Sequence, residues 1–420
     1  MKKYKKRILD EQLEFMLSAS GAVLIEGPKW CGKTTTAKQQ SSSYISMDDP
    51  KNIDRNLNFA KINPKILLQG ETPRLVDEWQ VAPTLWDAIR HEVDVRGKMG
   101  QFIMTGSVSP HDTKDIIHSG TGRISRLKMR TMSLYESLES DGSVSLEDLF
   151  NGKTIAPTFN NMDLKNVAFL ISRGGWPLSI DLEERAALQQ AKNYVNSIVE
   201  IELKEVAEVK SSHLVRMFLR SYSRNISTKA SNQKILDDLS AHNESLSIPT
   251  INKYIDSFKH MHVIDELEAW NPNLRSKASI RSTPTRMFVD PSIAVASLGI
   301  SPSDLLNDYK LLDLLFEAMA IRDLRVYSDS LSGNVFYYRD SNGLECDAII
   351  HLPDGRWGAI EVKLGEHQQD QAAINLKKLV DVVDTNKMNK PSFLMVLTSE
   401  NASYTREDGI HVVSIGSLKP

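Results

Sequence analysis

A chain of 420 residues exceeds what one hydrophobic core of ordinary size organises, about 100 to 200 residues per domain, so two or three domains are expected. Hydrophobic residues at 41% and charged residues at 25% exclude an intrinsically disordered chain, and a net charge of −3 excludes a global pull on nucleic acid. Only two cysteines, Cys31 and Cys346, occur far apart, which excludes a disulfide framework and fits a reducing cytosol.

The lysine-rich start, Lys2 to Arg7, is followed by a stretch broken by Asp10, Glu11 and Glu14, so no secretory signal is read there. This basic segment reads as a solvated helix face. Apolar runs such as residues 293–300 fall short of the roughly 20 residues that span a bilayer, so the expectation is a cytoplasmic protein with no membrane partner.

Residues 21–26, GAVLIE, form a short apolar run that leads into a glycine-bounded loop, and a helix start follows at Lys33 to Thr36. Short strands are predicted at 43–47, 75–77 and 102–105, with a helix at 84–95, and such alternation implies a parallel α/β sheet. Between about 139 and 162 the chain turns polar, and a domain boundary is placed there, closing a first domain at 1–140. Helical patterns follow at 186–209, 211–223, 234–239 and 247–262. The last two, followed by an extended run at 263–270, outline either a winged helix or a plain helical connector within a second domain at 160–270. A third domain, 275–420, opens with a helix at 305–324 and continues as short strands with a last helix at 368–380.

Gly27-Pro28-Lys29-Trp30-Cys31-Gly32-Lys33-Thr34 matches G-x-x-x-x-G-K-[ST] between a strand and a helix, the context a phosphate-binding loop requires. The glycines let backbone N–H groups turn toward phosphate oxygens, Lys33 reaches the β and γ phosphates of ATP, Thr34 offers its hydroxyl to Mg²⁺, and Thr35 extends the binding segment. Leu75-Val76-Asp77-Glu78 then supplies Asp77 as a second magnesium contact and Glu78 as the group that activates water. The strand end at 102–107 offers Thr105 or Ser107 as a nucleotide-sensing group. In the glycine-rich segment 120–126, Arg123 is the candidate to stabilise charge on the γ-phosphate, from within the chain or from a neighbour in a homo-oligomer.

These segments resemble a family of prokaryotic AAA-type ATPases that join an ATPase domain to a C-terminal domain of uncharacterised function. The phosphate loop, SMDDP at 46–50, LVDEWQVAPTLWDAIRHEVD at 75–94, MTGS at 104–107 and MSLYE at 132–136 carry the likeness, with RGGWP at 173–177 and RMFVDPSIA at 286–294 extending it. The short strand before Asp77, interrupted by Pro73 and Arg74, departs from the hydrophobic support expected behind a magnesium-binding carboxylate.

Near the C-terminus, Asp347, thirteen intervening residues and then Glu361-Val362-Lys363 look like the restriction-endonuclease-type nuclease pattern. Asp347 and Glu361 would share a divalent metal on adjacent strands, Lys363 would position the attacking water, and Glu317 would complete the shell. No histidine or cysteine pair has zinc spacing. Two functions follow as expectations. One is ATP hydrolysis coupled to a winged-helix and nuclease-like half acting on DNA; the other is a module in which ATP switches binding to a protein partner.

Overall fold

The short apolar runs at 22–25, 75–76 and 102–104 show no polar alternation, and in the computed structural model they are buried on both faces, as central parallel strands require. The structure describes residues 4–107, 119–202, 211–240, 247–272, 283–384 and 388–420. The chain divides into two compact units, Met1–Thr131 with His260–Val263, and Met132–Lys259 with Ile264–Pro420.

In the first unit, α1 (Leu9–Ala19) leads into β1 (Ala22–Glu26), α2 (Lys33–Gln40), β2 (Ser43–Ser46), α3 (Ile53–Ile62), β3 (Arg74–Asp77), α4 (Thr84–Arg96), β4 (Phe102–Gly106) and β5 (Ile124–Lys128). All five strands are parallel, in the order β2-β3-β4-β1-β5. Successive side chains of β1 serve opposite layers. Ala22 and Leu24 pack with Leu85, Trp86 and Ile89 of α4, whereas Val23 and Ile25 pack with Leu13 of α1 and Ala37 of α2. The segment expected to be a glycine-rich loop instead forms β5 at the sheet edge. It buries only Ile124 and Leu127, so it has no apolar run to announce it.

The short β3 does have hydrophobic support, because Leu75 and Val76 are fully buried. Arg74, the apparent interruption, donates through Nε to Leu67 O at 2.9 Å and through a terminal nitrogen to Ser43 Oγ at 2.9 Å. Strand order has one consequence for function. Placing β4 between β1 and β3 brings the carboxyl ends of all three together, where open α/β sheets bind ligands.

The second unit begins with β6 (Val144–Ser145), α5 (Leu146–Phe150), β7 (Thr158–Phe159), α6 (Leu164–Arg173) and α7 (Glu184–Ser197), which passes into a π-helical turn at Ile198–Glu202. The rest of the helix expected over 186–209 lies outside the described residues. Then come α8 (Ser212–Arg224), α9 (Asn232–Ser240) and α10 (Ile248–His260), packed through Phe218, which stacks on Phe258 at 5.8 Å and meets Tyr254 edge-on at 5.5 Å. Beyond α10, Ile264 bridges Phe288 and Leu267 bridges Thr285, both antiparallel.

The remaining elements are α11 (Ser292–Leu298), α12 (Pro302–Asn307), α13 (Tyr309–Ser330), β8 (Asn334–Arg339), β9 (Glu345–His351), β10 (Trp357–Lys363), α14 (Gln369–Val382), β11 (Phe393–Thr398), β12 (Ala402–Thr405), β13 (His411–Ser414) and β14 (Leu418–Lys419). The single helix expected at 305–324 is two, because the Asp308 side chain accepts from Leu311 N at 3.1 Å and caps a new helix. Strands β8 to β10 form an antiparallel meander, and β11 lies parallel to β10 after the α14 crossover, in a sheet ordered β7-β12-β13-β11-β10-β9-β8. β14 pairs with β6.

Four segments far apart in sequence meet at a buried polar network. Asp290 accepts from Gly175 N at 2.9 Å, Ser292 Oγ at 2.6 Å and an Arg322 terminal nitrogen at 3.2 Å, while Asp323 accepts from Arg322 Nε at 2.8 Å and Leu134 N at 3.0 Å. Gly175 is required by space, since a Cβ there would lie 2.0 Å from Met132 O. Buried charges cost little only while each keeps its partner. Asp290→Ala is therefore expected to lower unfolding free energy by roughly 3–5 kcal/mol in urea titrations followed by tryptophan fluorescence. A loss below about 1 kcal/mol would show that the network is not a stabilising element.

Candidate functional site

The loop after β1 begins at Gly27, where a Cβ would stand 2.1 Å from Met129 O, and ends at Gly32, whose φ of 104° opens α2. Neither position tolerates a side chain without distortion. Lys33 is buried and its Nζ donates to Gly27 O and Pro28 O, both at 2.9 Å, so the ammonium lies over the turn of the loop. Cys31 is buried with Sγ 3.7 Å from Met129 O, Trp30 is 41% exposed, and Thr35 is exposed on the first turn of α2.

Asp77, at the end of β3, is buried, and its Oδ1 accepts from Thr34 Oγ1 at 2.7 Å and also from Thr105 Oγ1 of β4. Two hard oxygens, the Thr34 hydroxyl and the Asp77 carboxylate, thus converge beside the phosphate loop, a donor set that fits magnesium. Of the two sensing candidates, Thr105 joins Asp77 and also accepts from Glu78 N at 3.4 Å; Ser107 is buried with its hydroxyl unpartnered among the described residues. Glu78 adopts a left-handed backbone, φ 53°, which costs a non-glycine residue about 1–2 kcal/mol. Burial pushes its carboxyl above the ordinary range, against the opposing pull of Gln80 and Lys33. Gln80 Nε2 donates to Glu78 Oε2, a contact no sequence motif announces.

Of the two expectations for Arg123, action within the chain or from a neighbouring copy, the structure opposes the first. It precedes β5 next to Ile124, which pairs with Ala22 at the start of β1, whereas the phosphate loop follows Glu26 at the other end of that strand. Five residues of strand separate the two by at least about 13 Å. Its Nε pairs with Asp94 at 2.8 Å and the side chain is 46% exposed. Within its own unit, Arg123 cannot stabilise charge on a phosphate held at Lys33.

In the second unit, Asp347 on β9 and Glu361 on β10 lie next to the paired residues Ala348 and Ile360. Lys363 Nζ donates to Asp347 Oδ2 and Glu361 Oε2, both at 2.8 Å, and Asp347 Oδ2 also accepts from Val362 N at 2.8 Å. Glu361 is 3% exposed, and burial together with the Asp347 charge pushes its carboxyl up to about 8, with Lys363 opposing. Burial pulls the Lys363 ammonium down, but the two carboxylates outweigh it and the net shift is upward. Glu317 and Asp313, one turn apart on α13, are both raised by burial, and both feel the charges of Asp347 and Lys363.

The structure thus brings Asp347, Glu361 and Lys363 into hydrogen-bond contact. Glu317, expected to complete the metal shell of Asp347 and Glu361, is not seen to join them, since among the described residues no group of three or more potential ligands converges on a metal position. Two carboxylates remain a donor pair suited to a divalent cation. They open on a cleft of about 690 Å³ whose lining also includes Glu345, Asn375 and Lys378. Cys346 is buried, its thiol pushed up by burial, with Sγ 3.3 Å from Ile360 O, which agrees with a packing role.

Residues 19–138 match the family described as AAA domain. Residues 164–304 and 313–418 match two families each described as a domain of unknown function, DUF8612 and DUF4143. No curated protein matches the chain. Among solved structures, the Walker-type ATPase paby2304 of Pyrococcus abyssi is 14% identical, with a TM-score of 0.43 over 69% of this chain and 94% of that one. The Aeropyrum pernix ORC1 protein, solved in complex with DNA, is 12% identical, with a TM-score of 0.26 over 72% of this chain and 93% of that one. Likenesses of that size carry no functional argument.

The first unit therefore has a parallel-sheet, P-loop ATPase-like domain, and the match over 19–138 spans Lys33, Asp77, Glu78, Thr105 and Arg123. Among the described residues, no helix is long and apolar enough to cross a membrane. Titration with a fluorescent ATP analogue checks the geometry. Lys33→Ala is expected to weaken binding at least about tenfold, a loss of about 1.4 kcal/mol. Arg123→Ala, at the far end of the sheet, is expected to leave affinity within about twofold; equal losses in the two variants would contradict the placement.

Proposed function

We propose that the chain binds and hydrolyses Mg·ATP in its first unit and couples that cycle to a DNA-associated, metal-dependent phosphodiester-cleaving site in its second. The observation that carries the reading is the meeting of Thr34 and Thr105 on Asp77 Oδ1 beside the phosphate loop. Thr34 and Asp77 would hold magnesium, which supplies charge neutralisation on the β and γ phosphates. Lys33 would leave the Gly27 and Pro28 carbonyls for the phosphates. Glu78 would take the proton of the attacking water, and its buried setting favours holding that proton. Gln80 donates to Glu78 Oε2, which would orient the carboxylate and leave Oε1 to take the proton. A role for Arg123 in this chemistry requires a neighbouring copy of the chain, hence a homo-oligomer.

For the second unit, α13, the meander β8 to β10, the crossover α14 and parallel β11 support a restriction-endonuclease-like reading of residues 275–420, with Asp347 and Glu361 on neighbouring strands. Those carboxylates would hold a divalent cation, which supplies Lewis-acid polarisation of a phosphodiester. Lys363 would orient the water. Helices α9 and α10 and the extended segment at 264–267, which bridges residues 285–288 from beyond that range, support a winged helix within 160–270, an element that places a helix against DNA. The ATPase module is read as 1–140.

A second reading, an ATP-switched protein-interaction module, is favoured by one fact: Lys363 already pairs with both carboxylates, and among the described residues no third potential ligand joins them.

Incubation of labelled DNA with Mg²⁺ or Mn²⁺, with and without ATP, separates the readings. Cleavage by wild type that Asp347→Ala abolishes supports the first; intact DNA under every condition, with ATP still bound, supports the second. Glu78→Gln is expected to retain nucleotide but slow phosphate release by about a hundredfold or more. Unchanged release would remove Glu78 from its role.

A further inference from the structure

Arg7, read from the sequence as part of a solvated basic face, is 4% exposed. One terminal nitrogen of its guanidinium donates to Cys31 O at 2.8 Å, and the other donates to Arg130 O at 2.9 Å. The segment that carries it is tied down independently. Arg7 N donates to Asp10 Oδ2 at 2.8 Å, Tyr4 Oη donates to Asp10 Oδ1 at 2.7 Å, and Tyr4 Oη lies 3.1 Å from Thr36 Oγ1 on α2. Arg130 follows Met129, whose carbonyl is the atom that crowds Gly27 and meets Cys31 Sγ. One planar fork thus joins the N-terminal segment, the phosphate loop and the end of β5.

The Cys31 carbonyl belongs to the peptide plane that also carries Gly32 N–H. In a trans peptide the two groups point in opposite directions. Holding Cys31 O toward Arg7 therefore aims the Gly32 amide away from Arg7. That amide opens α2 and belongs to the loop whose N–H groups cradle phosphate in such sites. With φ of 104°, Gly32 has alternatives open to few other residues, so an external clamp on this plane has something to select.

We propose that Arg7 is a positioning residue for the triphosphate, fixing the Cys31–Gly32 peptide so that its amide is presented to the nucleotide. The inference rests on the nucleotide-binding reading of the loop. Lysine keeps the charge at this position but lacks the planar fork that reaches two carbonyls at once.

The test uses the full chain and compares wild type with Arg7→Lys and Arg7→Ala, each checked for fold by circular dichroism and thermal melting. The readouts are Mg·ATP affinity by calorimetry and steady-state phosphate release. For folded variants the expected result is a rise in Kd and KM of about tenfold or more for Arg7→Ala, a smaller rise for Arg7→Lys, and a loss concentrated in KM rather than kcat. Millimolar guanidinium is expected to restore part of the Arg7→Ala affinity. If Arg7→Ala does not fold, Arg7→Lys decides alone. Folded variants with wild-type affinity would overturn the positioning role and leave a plain structural brace. Wild type that binds no ATP would overturn the nucleotide reading itself, and the inference with it.

Discussion

One carboxylate oxygen, Asp77 Oδ1, receives hydroxyls from two different strand-and-loop systems, Thr34 after the phosphate loop and Thr105 from β4. That convergence exists only because β4 is inserted between β1 and β3. With β1 and β3 as direct neighbours, no third strand end would lie between the lysine and the carboxylate. The fully buried Leu75 and Val76 then fix the height of Asp77, and the two cores on either side of the sheet fix the strands. Chemistry at the loop is thus a product of strand order, and strand order a product of which apolar runs can be covered on both faces.

Much of this was legible from residue order alone. The run before Gly27, the loop spacing and the Asp-Glu pair named Lys33, Thr34, Asp77 and Glu78 before any coordinates, because a phosphate cradle needs those groups in that sequence. Thr105 was legible only as one of two options, since Thr105 and Ser107 differ in which strand end faces the carboxylate. That Arg123 could not act within its own unit was hidden for a definable reason. A glycine-rich stretch with two arginines carries no sign of which end of a sheet it joins, and the sparse burial of Ile124 and Leu127 hid the strand that follows. Gln80 and Arg7 were missed because no spacing rule announces their hydrogen bonds: Gln80 bonds a carboxylate two residues away, and Arg7 bonds backbone carbonyls far along the chain.

The second unit shows the same division. Asp347, Glu361 and Lys363 were paired correctly from the alternation of strand residues, because two neighbours on a meander and a residue two positions on share a face. Glu317 lies on the helix expected to carry it, within electrostatic range of Asp347. The break at Asp308 was not foreseen, although its cap is local. The Asp290–Arg322–Asp323 network gives RGGWP and VDPS a structural part: they supply backbone and carboxylate partners of one buried cluster.

The claim on which the functional reading stands is that Asp77 holds magnesium with Thr34 against a bound triphosphate. Phosphate release by Asp77→Asn, measured across a magnesium titration at saturating ATP, addresses it directly. The account predicts that the isosteric amide leaves nucleotide bound but lowers turnover by about a hundredfold, with no recovery at high magnesium. Turnover equal to wild type, with the same magnesium dependence, would contradict it.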